Sequence, residues 1–219
     1  MALYKDRKEA GALLAETLGN YTLEDPIVLA IPNGGVIIGK QIANRLGCPL
    51  KLVVVKKIPI PDNPEAGFGS VTSSGITILN SSMLPNLNLT PQQIRQLAKQ
   101  TLERIKERMQ AYGIDGDYSD IQGKTAILVD DGLASGITME AALRTIKPFN
   151  PKRIIIAVPT ASTQAFEKLG YEVDAIICPD IKYKLPFAVA EAYDNWYDVK
   201  DEKVKQILAL AKGFDFGLK

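Results

Sequence analysis

Thr125-Ala-Ile-Leu-Val-Asp130-Asp131-Gly132-Leu-Ala-Ser135-Gly136-Ile-Thr138, running straight into Met139-Glu-Ala-Ala-Leu143, is the stretch on which the fold turns. Its first five residues are apolar or β-branched and follow Gly123 and Lys124, which predicts a buried parallel strand. Two carboxylates come next, then a short loop with Ser, Gly and Thr, then a helical pattern. That order places two acids and a set of helix N-terminal N–H groups at one edge of an α/β sheet. Such N–H groups attract a phosphate. Paired carboxylates suit sugar hydroxyls or a metal ion, so a sugar phosphate would satisfy both halves. Asp-Asp-Gly is also a common turn, and Ser or Thr a common helix cap. The weight therefore rests on the complete order rather than on any one residue.

Outward from this stretch, strands and helices alternate. The pattern predicts a mainly parallel open α/β sheet flanked by helices, in a single domain over 1–219. Asp6 to Leu18 reads as a helix opened by an Asp6/Glu9 capping box. Ile27 to Ile31 and Leu50 to Val55 read as strands, with a helix from Val36 to Leu46 between them. Ser70–Val71 and Ile76–Leu79 form an expected hairpin. A long helix is expected from Pro91 to Tyr112, capped by Thr90 with Gln93 and stopped by Gly113. Its stripe of Ile94, Leu97, Ala98, Leu102, Ile105 and Met109 should face the core and its basic residues water. Beyond the acid pair come a helix to Lys147, a strand at Ile154–Val158, a helix near Thr163–Leu169, a strand at Ala175–Cys178 and a closing helix from Asp201 to Lys212.

The chain has 219 residues, 46% of them hydrophobic, enough for a full-sized core, and a net charge of +1. That balance points to neither nucleic acid nor an anionic membrane as partner, so any anion site must be local. No apolar run approaches the roughly 20 residues of a membrane span. The charged start lacks a signal-peptide core, and a cytoplasmic location is expected. Cys48 and Cys178 each precede a proline at the edge of an apolar run and read as reduced thiols. Histidine is absent, which excludes Ser-His-Asp and Cys-His catalysis and argues against an ordinary zinc site. Acid–base work would fall to Asp, Glu, Lys, Tyr or the substrate.

A second candidate loop, Pro32-Asn33-Gly34-Gly35, follows the first strand and precedes a helix, mirroring the Asp130 loop. Its glycines let a ligand approach the backbone, and in open α/β sheets ligands bind at strand C-termini. Lys56-Lys57 ends the second expected strand, where alternation would aim one cation into the crevice. The adjoining stretch from Pro59 to Gly69 holds three prolines and two glycines and reads as a shaped loop.

The segment 125–138 resembles the phosphoribosyl-diphosphate (PRPP) motif of type I phosphoribosyltransferases, in a branch with an Asp-Asp-Gly form. The match lies in the acids, Gly136 and Thr138; Ser135 stands where Thr is usual. Gly132 stands where an aliphatic residue is usual and is expected to loosen the turn. The resemblance spans about Leu3 to Asp201. It implies that Asp130 and Asp131 hold the ribose hydroxyls and that Ala134, Ser135, Gly136, Ile137 and Thr138 wrap the 5-phosphate. By the same resemblance Asn33, Gly34 and Gly35 meet the diphosphate, with Asn33 replacing an arginine common in that branch. Beside these, the residues themselves make Lys56, Lys57 and Glu65 the catalytic candidates, the lysines as cations that could neutralise diphosphate and Glu65 as an acid–base group.

The resemblance further implies Mg²⁺ carried on PRPP, with Asp130 and Asp131 able to touch it, and a nitrogenous acceptor such as a nucleobase. A homodimer is expected by family analogy, as is a small hood drawn from parts of 1–25 and 180–219. Ala134 stands where 6-oxopurine enzymes carry an Asp, which weighs against that acceptor class. Phe187, Trp196 and Tyr197 could stack on a base or simply fill core. The closing loop over the site is either the Pro59–Gly69 stretch or the segment between Tyr112 and Gly123. Two other classes compete: a PRPP- or nucleotide-binding regulator without turnover, and a response-regulator receiver. The receiver is disfavoured because its acid pair belongs on the first strand. A dinucleotide-binding oxidoreductase lacks its Gly-x-Gly-x-x-Gly.

Overall fold

Strand β6 (Thr125–Val129) is buried at all five positions and lies in the middle of a five-stranded, wholly parallel sheet. The computed structural model describes residues 2–61, 63–183 and 187–212, without the side chains of Pro64, Glu65 and Lys212. The sheet order is β2 (Leu50–Leu52), β1 (Pro26–Ala30), β6, β7 (Arg153–Ala157), β9 (Ala175–Ile177). From β1 the chain steps outward to β2 on one side, and β6 returns on the other. The order therefore reverses between β1 and β6, and such a reversal opens a crevice at the strands' C-terminal ends.

Two apolar layers hold the sheet. Leu14 and Leu18 of α1 (Arg7–Gly19) and Ile38 and Ile42 of α2 (Gly34–Leu46) cover one face, together with Val28 and Ile127. Met139 and Leu143 of α4 (Ile137–Ile146) and Leu169 of α5 (Thr163–Gly170) cover the other, against Leu29 and Leu128. Each such side chain fully withdrawn from water contributes about 1.5–3 kcal/mol. Both faces being covered explains why β6 reads as an unbroken apolar run. Asp6 caps α1 by accepting from the N–H groups of Lys8 and Glu9.

The expected second strand divides in two. After β2, Val53 still donates to Ala30 O, and then the chain leaves the sheet as β3 (Val55–Ile60). Strand β3 pairs antiparallel with β4 (Asn63–Thr72), which pairs with β5 (Thr77–Leu79). A β-branched run suits either sheet, and only its partners decide where it belongs. The Pro59–Gly69 stretch is thus largely an antiparallel ribbon and not a shaped loop, with Asp62 outside the described residues. Pro59 is accommodated where the register shifts on either side of it.

Helix α3 (Pro91–Tyr112) carries the expected Thr90/Gln93 capping box and ends at Gly113, which is left-handed with φ 65°. Its apolar stripe packs against a third cluster with Ile58, Phe68 and α6 (Asp201–Lys212). A short parallel pair, β8 (Thr160–Ser162) with β10 (Asp180–Lys182), has no counterpart in the sequence reading; strands this short carry no periodicity. Among the described residues both cysteines are free thiols, and no helix is long and apolar enough to cross a membrane.

Candidate functional site

Ala30 pairs with Val129, so the loops after β1 and β6 leave the sheet side by side. Their approach dictates the two glycines. A Cβ on Gly34 would lie 1.9 Å from Asp131 Oδ2, and one on Gly35 would lie 2.7 Å from the Val129 carbonyl oxygen. Helix α2 thus begins pressed against the acid pair, at a distance only glycine permits. The Pro32–Asn33 peptide bond is cis.

Neither helix at the crevice has a side-chain cap of its own. Asn33 at the start of α2 and Gly136 (φ 72°) at the start of α4 make no capping hydrogen bond. Near α4, Ser135 Oγ reaches the N–H of Ile137 at 3.5 Å. Two positive helix ends therefore face one space. The loop before α4 is braced from behind by β8: Leu133 N donates to Thr160 O at 2.9 Å and Ser162 N to Leu133 O at 2.8 Å. Ser162 Oγ donates to Ala134 O at 2.6 Å.

Gly132 is not required by its backbone conformation, since its φ is not positive. Its hydrogen side chain makes room instead: a Cβ there would lie 2.6 Å from Val189 Cγ1 and 3.0 Å from Thr160 Cγ2.

The acids differ from one another. Burial pushes the Asp130 carboxyl well above its ordinary range, and the charge of Asp131 pushes the same way. Asp131 Oδ2 accepts from Arg7 Nε at 2.8 Å. Arg7 is 3% exposed, donates from Nη1 to Tyr197 O and stacks 3.8 Å from the Trp196 ring centroid. Tyr193 Oη donates to Asp131 O at 2.6 Å. The N-terminal strip and the 193–197 segment therefore clamp Asp131. They also meet directly, Asp194 N donating to Tyr4 O and Asn195 N to Lys5 O.

A cavity of about 900 Å³ opens over both loops. Asn33, Gly34, Asp130, Asp131, Lys56 and Lys57 border it, as do Ala134, Ser135, Gly136 and Thr138. Gly35 and Ile137 are buried just behind its wall. The lysines lie inside β3 and not at a parallel strand's end; Lys56 is half-buried and Lys57 exposed. Burial lowers the Lys56 pKa, and the charges of Arg108 and Arg104 lower it further. The side chain of Glu65 lies outside the described residues, as does Pro186. Trp196 borders the cavity while stacked on Arg7; Phe187 also borders it, and Tyr197 is half exposed beside Arg7.

Asn33 is held by its neighbours. Its Nδ2 donates to Val199 O at 2.6 Å and to Asp201 Oδ1 at 2.9 Å, while its Oδ1 accepts from Tyr112 Oη at 3.1 Å. Burial pushes the Asp201 carboxyl up, but hydrogen bonds from Tyr112 and Asn33 and the charge of Arg108 outweigh it and hold the pKa below the usual value.

Three arginines at this site escaped the sequence reading. Arg104 and Arg108 border the cavity and do not simply face water. Their spacing of four, which puts both on one helix face, was the available signal. Arg7 gave none, because its partner lies 124 residues away.

The model of the phosphoribosyl transferase domain matches residues 3–183. Two Mycobacterium tuberculosis proteins, from the CDC 1551 and H37Rv strains, are each 28% identical over 208 residues, covering 95% of this chain and 47% of theirs. Their phosphoribosyl transferase names are themselves provisional, and the chain spans about half their length. The crystal structure of TT1426 from Thermus thermophilus is similar with a TM-score of 0.74 and 34% identity, over 95% of this chain and 98% of that one. A strand-borne acid pair, the braced Ser-Gly-x-Thr loop and a family match across most of its length agree: the chain belongs to the phosphoribosyl transferase domain family.

Proposed function

We propose that this domain binds PRPP at the reversal between β1 and β6 and transfers its 5-phosphoribosyl group to a nitrogen nucleophile, releasing diphosphate. The observation that carries the reading is the meeting of one acid pair with two helix N-termini that lack side-chain caps. The α4 end takes the 5-phosphate, with Ser135 and Thr138 adding hydroxyl donors. Asp130 and Asp131 receive the ribose hydroxyls, and the α2 end with Lys56 receives diphosphate. Positive charge at C1 develops as the C1–oxygen bond to diphosphate breaks and the new C1–nitrogen bond forms. Catalysis rests on positioning and on neutralising the leaving group more than on a strong base.

Two carboxylates fit a Mg²⁺ that keeps its waters and substrate oxygens, and Asp130 and Asp131 would hold that shell; the ion would supply leaving-group neutralisation. The strip around Tyr4–Arg7 and the 187–197 segment serve as the hood, with Phe187 and Trp196 toward the acceptor.

A second reading, binding without turnover, is favoured by Asn33, which brings no charge and is already hydrogen-bonded to Val199 and Asp201.

Calorimetric titration of PRPP, with and without Mg²⁺, into wild type and Asp130→Asn/Asp131→Asn tests the site. Micromolar binding, about −8 kcal/mol, that disappears in a folded double variant supports it; absence of binding in wild type removes it. Diphosphate release with a panel of nitrogen acceptors then separates transferase from binding protein.

A further inference from the structure

We propose that Arg104 and Arg108, one turn apart on α3, form with Lys56 a cationic wall that takes the diphosphate of the substrate and supplies the charge that Asn33 does not bring. The inference rests on the PRPP reading above for its substrate, while the wall itself rests on geometry.

All three cations border the same cavity as the acid pair and the 134–138 loop. Arg108 Nη2 lies 3.3 Å from Asp201 Oδ1, the oxygen that also accepts from Asn33 Nδ2 at 2.9 Å. One carboxylate oxygen thus places the guanidinium beside the Pro32–Gly35 loop. Arg104 has no carboxylate within ion-pair distance among the described residues, and it is exposed to the cavity. Beyond burial, both arginines lower the pKa of Lys56, and Asp201 offsets them there. On this side of the cavity Lys56, Arg104 and Arg108 lie close enough to repel one another, and Asp201, the carboxylate beside them, already accepts from Tyr112 and Asn33. Diphosphate brings several negative charges and oxygens that match the guanidinium fork. The wall meets it from a helix that packs on β3 rather than from the loop itself. Asp201 occupies Arg108 in the interim, and the incoming diphosphate replaces that contact.

The test compares wild type, Arg104→Gln and Arg104→Gln/Arg108→Gln with three ligands: PRPP, ribose 5-phosphate and inorganic diphosphate. Glutamine keeps helix propensity, and neither arginine is buried, so folding should survive; thermal melting verifies it. Arg104→Gln leaves the Asp201 contact intact and isolates the wall from that network. Each arginine removed should weaken PRPP and diphosphate roughly tenfold, as for a lost charge-assisted hydrogen bond, while ribose 5-phosphate binding stays within about twofold. PRPP affinity unchanged in the folded double variant would overturn the wall and leave the PRPP reading standing. Wild type that ignores PRPP and ribose 5-phosphate, yet binds diphosphate through these arginines, would overturn the ribose reading and support the wall.

Discussion

Arg7 Nε donates to Asp131 Oδ2 at 2.8 Å, joining the first turn of the first helix to the second residue past the central strand's end. The guanidinium is 3% exposed and the carboxylate 16%, so water screens little of their attraction. Trp196 stacks on the same guanidinium, 3.8 Å from its ring centroid. One side chain therefore sets the carboxylate's orientation and anchors Trp196 and Tyr197 beside it.

Arg7→Met should cost about 3 kcal/mol or more, because it strands a partly buried carboxylate. Arg7→Lys should recover little, since an ammonium cannot donate to Asp131 and Tyr197 O while stacking flat on Trp196. Thermal unfolding of Arg7→Met, Asp131→Asn and the double variant measures the coupling. Additive losses would show that the pair is not coupled.

Asp130 is held at an expense to the fold. Its folded pKa is raised above the ordinary 3.8, chiefly by burial and then by Asp131. The folded state therefore binds the proton more tightly, and stability falls as pH rises from the ordinary value through the raised one. Asp130→Asn keeps the acceptor for Asp131 N and removes the charge. At neutral pH it should melt roughly 2–4 °C higher, the shift of about 1 kcal/mol in a chain this long, and the gain should vanish below about pH 4, where the carboxyl is protonated in both states. PRPP binding should fall in the same variant. A melting point below wild type at neutral pH would contradict this account.

Gly132→Ala should destabilise by about 1–3 kcal/mol through overpacking, because its Cβ would meet Val189 Cγ1 at 2.6 Å. Removing those methyls by Val189→Ala in the same chain should return most of the loss. Denaturant unfolding of the four-member cycle reads the coupling. If the turn needed glycine for its backbone, Val189→Ala would rescue nothing.

Asn33→Ala should loosen α6 while leaving the central sheet intact, because Asn33 Nδ2 donates to Val199 O and Asp201 Oδ1. Amide exchange over 201–212 should accelerate roughly tenfold, as for the loss of about 1–1.5 kcal/mol of hydrogen bonding. Asp201's lowered pKa adds a pH arm: its contribution is present above the ordinary carboxylate value and lost as pH falls through the lowered one. Unchanged exchange in α6 would mean that other contacts hold the helix.

The local code was legible where the physics is local. The apolar run 125–129 could only be a covered strand. Thr90 with Gln93 and the left-handed Gly113 set both ends of α3 within a turn of their own residues. The acid pair and the small-residue loop could be read because a strand end and a helix start are fixed by neighbours in the chain. Tertiary structure decided whatever depends on partners far away. Leu50 to Val55 was one run by composition and became part of two sheets, since Leu50–Leu52 pair with β1 while Val55 pairs with Thr72 of β4. Gly132 answered to Val189 and not to its own turn. Arg104 and Arg108 read as water-facing charges until folding set both at the cavity, and Arg7 gave no signal until folding set it beside Asp131. Burial and charge pairing are properties of the assembled fold, and no spacing along the chain encodes a contact made across 124 residues.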